Sequence, residues 1–145
     1  WKQTNGRIDA FVHAVGTAAS SRGVATVLKR YQPNIRIICV EPAESPVLSG
    51  GQPGPHKIEG IGIGYSPPLW DATVVDEIIP VKTDDAKNMA RRIAREEALF
   101  AGTSSGANVI AAMQVGQQLG PEARVVTLMA DSGLKYLGTD VYRRK

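Results

Sequence analysis

The sequence predicts an α/β fold with three layers, αβα, in which a mostly parallel sheet lies between two layers of helices. An apolar run, a helical pattern and a second apolar run follow one another over residues 8–42, which is a β-α-β unit. Later segments again alternate between short apolar runs and helical spacing. The length of 145 residues, with 43% apolar and 21% charged side chains, suits one globular domain. We therefore expect three or four parallel strands with helices on both faces.

The first half of the chain contains the β-α-β unit and a long loop. IDAFVHAV (8–15) and IRIICVEP (35–42) are rich in Val and Ile, as buried strands are. Apolar residues at helical spacing between them predict a helix over residues 20–31. WKQTNGR (1–7) predicts the end of a helix, closed by Asn-Gly. Residues 43–72 are crowded with Gly and Pro and predict a functional loop, a candidate wall of an active site.

The second half begins with a strand and an amphipathic helix. TVVDEIIPV (73–81) predicts a short strand, and Pro80 places it at an edge of the sheet or at a strand end. Thr83 is a candidate cap for a helix over residues 84–99, whose acidic first turn suits the helix dipole.

The chain then continues through a strand-like or loop segment, LFAGTSSGAN (99–108), into an Ala-rich helix from about residue 105 to 119. Gly120-Pro121 ends that helix. ARVVTLMAD (123–131) has strong β propensity and predicts the last strand, and a turn with a short helix closes the chain.

Charge and hydropathy argue against nucleic-acid and membrane functions. The formal net charge is +3, and the basic residues cluster only at 143–145, which we interpret as a solvated tail. Apolar runs fall short of the roughly 20 residues of a membrane span, and no signal-peptide pattern opens the chain. From these two features we expect a cytoplasmic parent protein, and because the chain begins with Trp1 we expect it to be a piece of a longer protein.

The cysteine and the two histidines are predicted to be structural. Cys39 lies inside an apolar strand, where a buried thiol is inert, and a single cysteine excludes a disulfide within the chain. His13 lies in the middle of a predicted strand and is interpreted as a core or half-buried residue instead of a catalytic base. His56 lies in the Gly-rich loop, where a structural or surface role is expected.

Two segments rich in small and hydroxyl residues lie at strand-to-helix junctions. VGTAASSRG (15–23) follows the first predicted strand, and GTSSGAN (102–108) opens the Ala-rich helix. The first amides of a helix have no partner within it, so small side chains there let an anion approach. Serines in these positions are also typical helix caps, so both interpretations stay open on the residues alone.

The two segments are predicted to share one site. Ligands of parallel α/β sheets bind beyond the carboxyl ends of the strands, where both turns would project. The first turn lacks the glycine spacing of a dinucleotide fingerprint and of a P-loop, so the anion need not belong to a nucleotide. A serine hydroxyl in the second turn can hydrogen-bond a ring nitrogen without protonating it.

The segment EPAESPVLSGGQPGPHKIEGIG (41–62), flanked by these two turns, closely resembles the cysteine synthase and cystathionine β-synthase family. The order and spacing of the segments match from about residue 1 to 141. These are pyridoxal-phosphate enzymes of the tryptophan-synthase-β type, with a two-domain fold. The resemblance implies pyridoxal 5′-phosphate as cofactor, an O-activated serine and sulfide as substrates, β-replacement as the reaction, a homodimeric parent and no metal.

The resemblance also implies site residues. The cofactor phosphate would be bound by Gly16, Thr17, Ala18, Ala19 and Ser20. The family's usual form of this loop is Gly-Thr-Gly-Gly-Thr, so Ala18 and Ala19 are departures, and an alanine forced into a left-handed conformation there would be strained. Ser104 matches the serine that meets the pyridine nitrogen. KIEGIGIGY (57–65), with Gly60, Ile61 and Gly62, resembles the loop on the substrate side.

The Schiff-base lysine of the family is missing. In the family it lies in the other half of the enzyme, in a Ser-x-Lys-Asp setting, together with a Thr/Ser-Gly-Asn loop that grips the substrate carboxylate. Neither pattern occurs here, so the resemblance identifies residues 1–145 as the C-terminal part of the enzyme, with no catalytic residue of its own. The alternative is a non-catalytic fragment that binds an anion or a partner.

Overall fold

The computed structural model describes residues 1–143, and its described part is built on one parallel four-stranded sheet. In chain order the elements are β1 (Ala10–Ala14), α1 (Ala19–Tyr31), β2 (Arg36–Pro42), β3 (Glu77–Val81), α2 (Thr83–Glu96), α3 (Thr103–Leu119) and β4 (Val125–Thr127). Short 3₁₀ turns lie at 72–74 and 133–136. The strand order is β3-β2-β1-β4, and every pairing is parallel. The predicted αβα fold with a mostly parallel sheet is confirmed.

Alternate residues of the central strands point to opposite faces of the sheet and are buried on both. Phe11 and Ile37 pack with Leu28 of α1 on one face. Val12 and Ile38 pack with α3 on the other. The core is therefore two apolar layers separated by the sheet.

Helix α2 lies against α3 and reaches the sheet core through Ala86. The two helices approach closely at Gly106, where an added Cβ would overlap the Ala86 carbonyl oxygen. Further along α3, a Cβ at Gly116 would meet only Val125 Cγ2 at 3.9 Å. The helix crossing is therefore fixed at Gly106 by backbone contact.

The sheet opens at the carboxyl end of β1, because a side chain replaces direct strand pairing there. Residues 10–12 of β1 pair with β4, but beyond them Asn108 of α3 stands between the strands. Its Oδ1 accepts from Ala14 N at 2.7 Å, and its Nδ2 donates to Leu128 O at 2.9 Å. The predicted strand over 123–131 is therefore shortened to three residues, and a gap opens between the two strand ends.

Three local expectations are wrong. Residues 1–7 form turns instead of a helix end. Residues 73–76 of the predicted strand lie outside β3, because the Asp71 carboxylate accepts from Thr73 N at 3.0 Å and stabilises a 3₁₀ turn at 72–74. Thr83 is the first residue of α2 and not its cap; its amide donates to Glu44 Oε1 at 2.8 Å, while its own Oγ1 accepts from Lys57 N.

Two further expectations concern the basic tail and membrane spans. Arg144 and Lys145, which belong to the predicted basic tail, lie outside the described residues. Within residues 1–143, no helix combines the length and apolar character needed to cross a membrane.

Candidate functional site

A cleft of about 360 Å³ lies at the carboxyl ends of β1 and β4, facing the start of α1 and the start of α3. Six of the nine predicted site residues line it: Gly16, Thr17, Ser20, Gly60, Ile61 and Ser104. Ala18 and Ala19 line a smaller cavity of about 30 Å³ beside it, together with Thr17 and Ser20. The prediction that both hydroxyl-rich turns meet at one edge of the sheet is confirmed.

The first turn leaves the start of α1 open. Ala18 occupies the N-cap position, and no side chain caps the helix. Thr17 Oγ1 accepts from Ala19 N at 3.4 Å, and Ser21 Oγ donates back to Ala18 O. The amides of Ser20 and Ser21 have no partner within the helix. The interpretation of either serine as an N-cap is wrong, and the turn presents N–H donors.

Gly16 brings this turn against the substrate-side loop. A Cβ on Gly16 would lie 2.5 Å from Gly60 O, so no larger residue fits without moving the loop backbone. Gly62 N donates to Val15 O at 3.2 Å, which fixes the same contact from the other side. The two segments therefore form one continuous wall of the cleft.

Ala18 has the left-handed conformation that the sequence comparison with Gly-Thr-Gly-Gly-Thr raised as a source of strain. Its φ is 65° and its ψ is 1°. This region costs an L-residue with a Cβ about 1–2 kcal/mol. The methyl group is buried, with 4% of the residue exposed, against Val15 and Cys39. Ala19, in contrast, lies within α1 and carries no such strain.

The second turn separates the two serines that the sequence left equivalent. Gly102 is the N-cap of α3, without a side-chain cap, so the capping interpretation is wrong here too. Ser105 Oγ accepts from Ala130 N at 3.1 Å and ties α3 to the segment after β4. Ser104 lines the cleft, and within the described residues its hydroxyl has no hydrogen-bond partner. Ser104 is therefore the serine free to meet a ligand.

The substrate-side loop presents two of its three predicted residues to the cleft. Gly60 and Ile61 line it, whereas Gly62 turns away and lines a separate small cavity. The His56 Nε2 lies 2.9 Å from Gly62 O, and its Nδ1 accepts from Ile58 N, so the predicted structural role of His56 has a geometric basis.

The loop is also held from α2 and α3. Thr83 Oγ1 accepts from Lys57 N at 3.1 Å, and Thr103 Oγ1 accepts from Glu59 N at 3.3 Å. Hydroxyls at the starts of two helices thus position the loop backbone.

Sequence reasoning missed five polar residues of the cleft: His13, Glu59, Asn108, Asp131 and Lys135. Asn108 had a usable signal, because it lies four residues after Ser104, on the same helix face. Asp131 follows the last strand, where ligand-binding residues of parallel sheets are expected. His13 was interpreted only as a core or half-buried strand residue.

The charges in the cleft are partly paired. Lys135 Nζ lies 3.6 Å from Glu59 Oε2 and 3.5 Å from Asp131 Oδ2. Tyr136 OH donates to Asp131 at 2.7 Å, and burial, together with this carboxylate, raises the pKa of Tyr136 above its usual range. These ionic groups enter the cleft from the 57–65 loop and from the segment after β4.

The first turns of both helices carry no acidic residue. The positive end of the α1 dipole therefore faces the cleft without an acidic residue in its first turn, whereas the Asp131 carboxylate lies beside the N-cap of α3, where a Cβ on Gly102 would overlap its Oδ1. Burial lowers the pKa of His13 at the cleft floor, which favours a neutral imidazole in the free protein. Cys39 is fully buried, and burial raises the pKa of its thiol to about 12, so its predicted place inside a buried strand is confirmed.

Comparison with known proteins decides the family. A family model described as pyridoxal-phosphate dependent enzyme matches residues 1–131. The chain belongs to this family. A cysteine synthase of Staphylococcus aureus is 48% identical to it over 135 residues, which make up 93% of this chain and 44% of the relative. The resemblance to the cysteine synthase family is confirmed.

Solved structures of pyridoxal-phosphate enzymes of the tryptophan-synthase-β type share the fold. O-acetylserine sulfhydrylase isoform 3 from Entamoeba histolytica has a TM-score of 0.96 and 42% identity, covering 100% of this chain and 44% of that chain. An O-acetylserine-dependent cystathionine β-synthase from Helicobacter pylori has a TM-score of 0.92 and 34% identity, covering 98% and 46%. The chain thus spans less than half the length of these relatives.

The cleft fits the cofactor of the family. A doubly charged phosphate needs hydrogen-bond donors and no nearby carboxylate, which the uncapped start of α1 provides. The adjoining small cavity is lined by Thr17 and Ser20, and His13 contributes a buried Nδ1 with no hydrogen-bond partner in the described part. Across the cleft, Ser104 offers a neutral hydroxyl for a ring nitrogen.

Proposed function

We propose that this chain is the part of a cysteine synthase-like enzyme that holds pyridoxal phosphate by its phosphate and its ring nitrogen. The parent enzyme exchanges the β-substituent of an O-activated serine for sulfide. The observation that carries the proposal is the position of the unpaired Ser104 hydroxyl in the same cleft as the open start of α1. When bound, the cofactor supplies an electron sink for the substrate amino acid.

The turn at residues 16–21 anchors the anion. Amides of the first helical turn and the hydroxyls of Thr17 and Ser20 donate to phosphate oxygens, and the α1 dipole adds a favourable field. Because Gly16 packs closely against Gly60, the position of the 16–21 turn is fixed relative to the 57–65 loop. Binding of the phosphate thereby orients the reactive end of the cofactor.

Ser104 sets the electronic state of the ring. A hydroxyl donates to the ring nitrogen without transferring a proton, whereas a carboxylate would favour the protonated ring. An unprotonated ring is the weaker electron sink and suits β-replacement better than transamination.

A binding experiment on the full 145-residue chain tests this function. Fluorescence titrations would compare pyridoxal phosphate, pyridoxal and inorganic phosphate with wild type, Ser104→Ala and Ser104→Asp. We expect pyridoxal phosphate to bind most tightly of the three ligands. Ser104→Ala should weaken its binding about fivefold to tenfold, as for one lost hydrogen bond. Ser104→Asp should favour the spectrum of the protonated ring. Equal competition by inorganic phosphate, with no effect at Ser104, would instead indicate an anion-binding fragment.

Turnover needs the lysine that this chain does not supply. Lys135 lines the cleft, but its Nζ is held by ion pairs with Glu59 and Asp131. We expect no cysteine formation from O-acetylserine and sulfide by the chain alone, and no borohydride-stable attachment of the cofactor to one lysine. Stoichiometric attachment at Lys135 accompanied by turnover would contradict this assignment.

A further inference from the structure

His13 lies beneath the first hydroxyl-rich turn and has no assigned role in the proposed chemistry. It is the fourth residue of β1, and its side chain lines both the large cleft and the small cavity beside Thr17 and Ser20. Its Nδ1 is buried and lacks a hydrogen-bond partner within residues 1–143. A buried ring nitrogen left unpaired is costly unless a ligand or water supplies its partner.

The groups around His13 leave it free to change charge. Its neighbour on β2 is Cys39, whose thiol stays neutral, and Phe11 lies 6.0 Å away between ring centroids. Neither α1 nor α3 presents an ionisable side chain to the cleft. The ionisable groups facing it from the loops are Glu59 and Asp131, which share one cation, Lys135; the Asp131 Oδ1 is buried and has no hydrogen-bond partner in the described part.

We propose that the His13 imidazole is a further ligand of the anion held at the start of α1, and that it takes up a proton when the anion binds. The inference rests on the proposed function, because it needs an anion in the small cavity. The His13 imidazole, on β1, would be a titratable contact to the anion, in addition to the amide and hydroxyl donors of residues 16–21.

The direction of the pH dependence follows from the two states of the imidazole. Burial lowers the pKa of His13 in the free protein, and an adjacent anion raises it in the complex. Anion affinity is therefore greatest below the pKa of free His13 and is lost as the pH rises through the pKa in the complex. Proton uptake is largest between these two values.

A nuclear magnetic resonance titration of the wild-type chain tests the inference without any substitution at His13. Sulfate is the probe, because it stays doubly charged from about pH 5.5 to about pH 8.5, where histidine titrates. The two histidines are assigned from the spectrum of His56→Gln. We expect sulfate to raise the titration midpoint of His13 by about one pH unit. A His13 midpoint that does not move while sulfate binds would overturn the inference.

Calorimetry with pyridoxal phosphate separates this inference from the proposed function. His13→Gln keeps a hydrogen-bond donor and removes the titration, so we expect about twofold to fivefold weaker binding than wild type at about pH 6.5 and near-equal binding at about pH 8.5. Equal affinities at both pH values would overturn the role of His13 alone. If neither sulfate nor pyridoxal phosphate binds the wild-type chain, the proposed function fails, and this inference fails with it.

Discussion

At the scale of single residues, Ala18 combines two opposing contributions to stability, of which burial offsets part of the strain. Its left-handed backbone costs about 1–2 kcal/mol, while its buried methyl group contributes about 0.8 kcal/mol of burial. Ala98 has a similar φ of 56° at the end of α2 but is exposed, so it carries the strain without the burial. Comparing Ala18 with Ala98 therefore measures how much burial of the Ala18 methyl group contributes to the free energy of unfolding.

Substituting glycine at these two positions should therefore have different effects. We expect Ala98→Gly to raise the free energy of unfolding by about 0.5–1 kcal/mol, after the extra chain entropy of glycine is included. Ala18→Gly should change it by less than about 0.5 kcal/mol, because the lost burial offsets the relieved strain. Urea denaturation measures both. An equal gain at the two sites would mean that the Ala18 methyl contributes nothing.

Ser104 and Ser105 are adjacent but should respond oppositely to alanine. Ser105→Ala leaves the Ala130 amide without its acceptor, so we expect a loss of about 1–3 kcal/mol in the free energy of unfolding. Ser104→Ala removes no hydrogen bond within the described residues and should cost less than about 0.5 kcal/mol. Thermal and urea unfolding of the two variants provide the comparison. A larger cost at Ser104 would argue that this serine serves the fold.

At the scale of elements, the crossing of α2 and α3 at Gly106 holds the floor of the cleft. The start of α3 carries Ser104 and Asn108, so its position against the sheet sets the site. Gly106→Ala should lower the free energy of unfolding by about 1–3 kcal/mol, because a methyl group there overlaps the Ala86 carbonyl. Gly116→Ala, in the same helix with open space, should raise it by up to about 1 kcal/mol. Similar effects from both would contradict the close crossing.

The elements that local patterns determine were predictable. Pro80 correctly indicated an edge strand, since β3 ends the sheet, and helical spacing located α1 within one residue. The errors arose where distant groups intervene. Glu44 accepts from the amide of Thr83 across 39 positions, and Asn108 replaces the end of β4 from another element. Local propensity carries no information about such partners.

The residues of the candidate site were likewise predictable only where they form a local sequence pattern. The hydroxyl-rich turns were visible because small residues at two helix starts form a local pattern. The sequence predicts strain at Ala18 only on the condition that its φ is positive, because the residue types of the turn do not fix that angle. His13 was interpreted as structural because the sequence does not show which strand residues underlie the cleft.

At the scale of the whole molecule, β1, α1, α3 and the 57–65 loop converge on one cleft. The described residues supply donors for a phosphate at one end and a neutral hydroxyl at the other. Nothing in this arrangement requires a nucleophile from the chain itself. Under the proposed function, this part of the parent enzyme would hold the cofactor and the other part would carry the lysine.

The central claim is that the two hydroxyl-rich turns bind opposite ends of one cofactor. Amide chemical shifts of the isotope-labelled chain, recorded during titration with pyridoxal phosphate and separately with pyridoxal, test it most directly. We predict that pyridoxal phosphate shifts the amides of residues 17–21 and 103–106 with one common affinity, and that pyridoxal, lacking the phosphate, leaves residues 17–21 unmoved. Shifts confined to one turn, or different affinities at the two turns, would contradict a shared site.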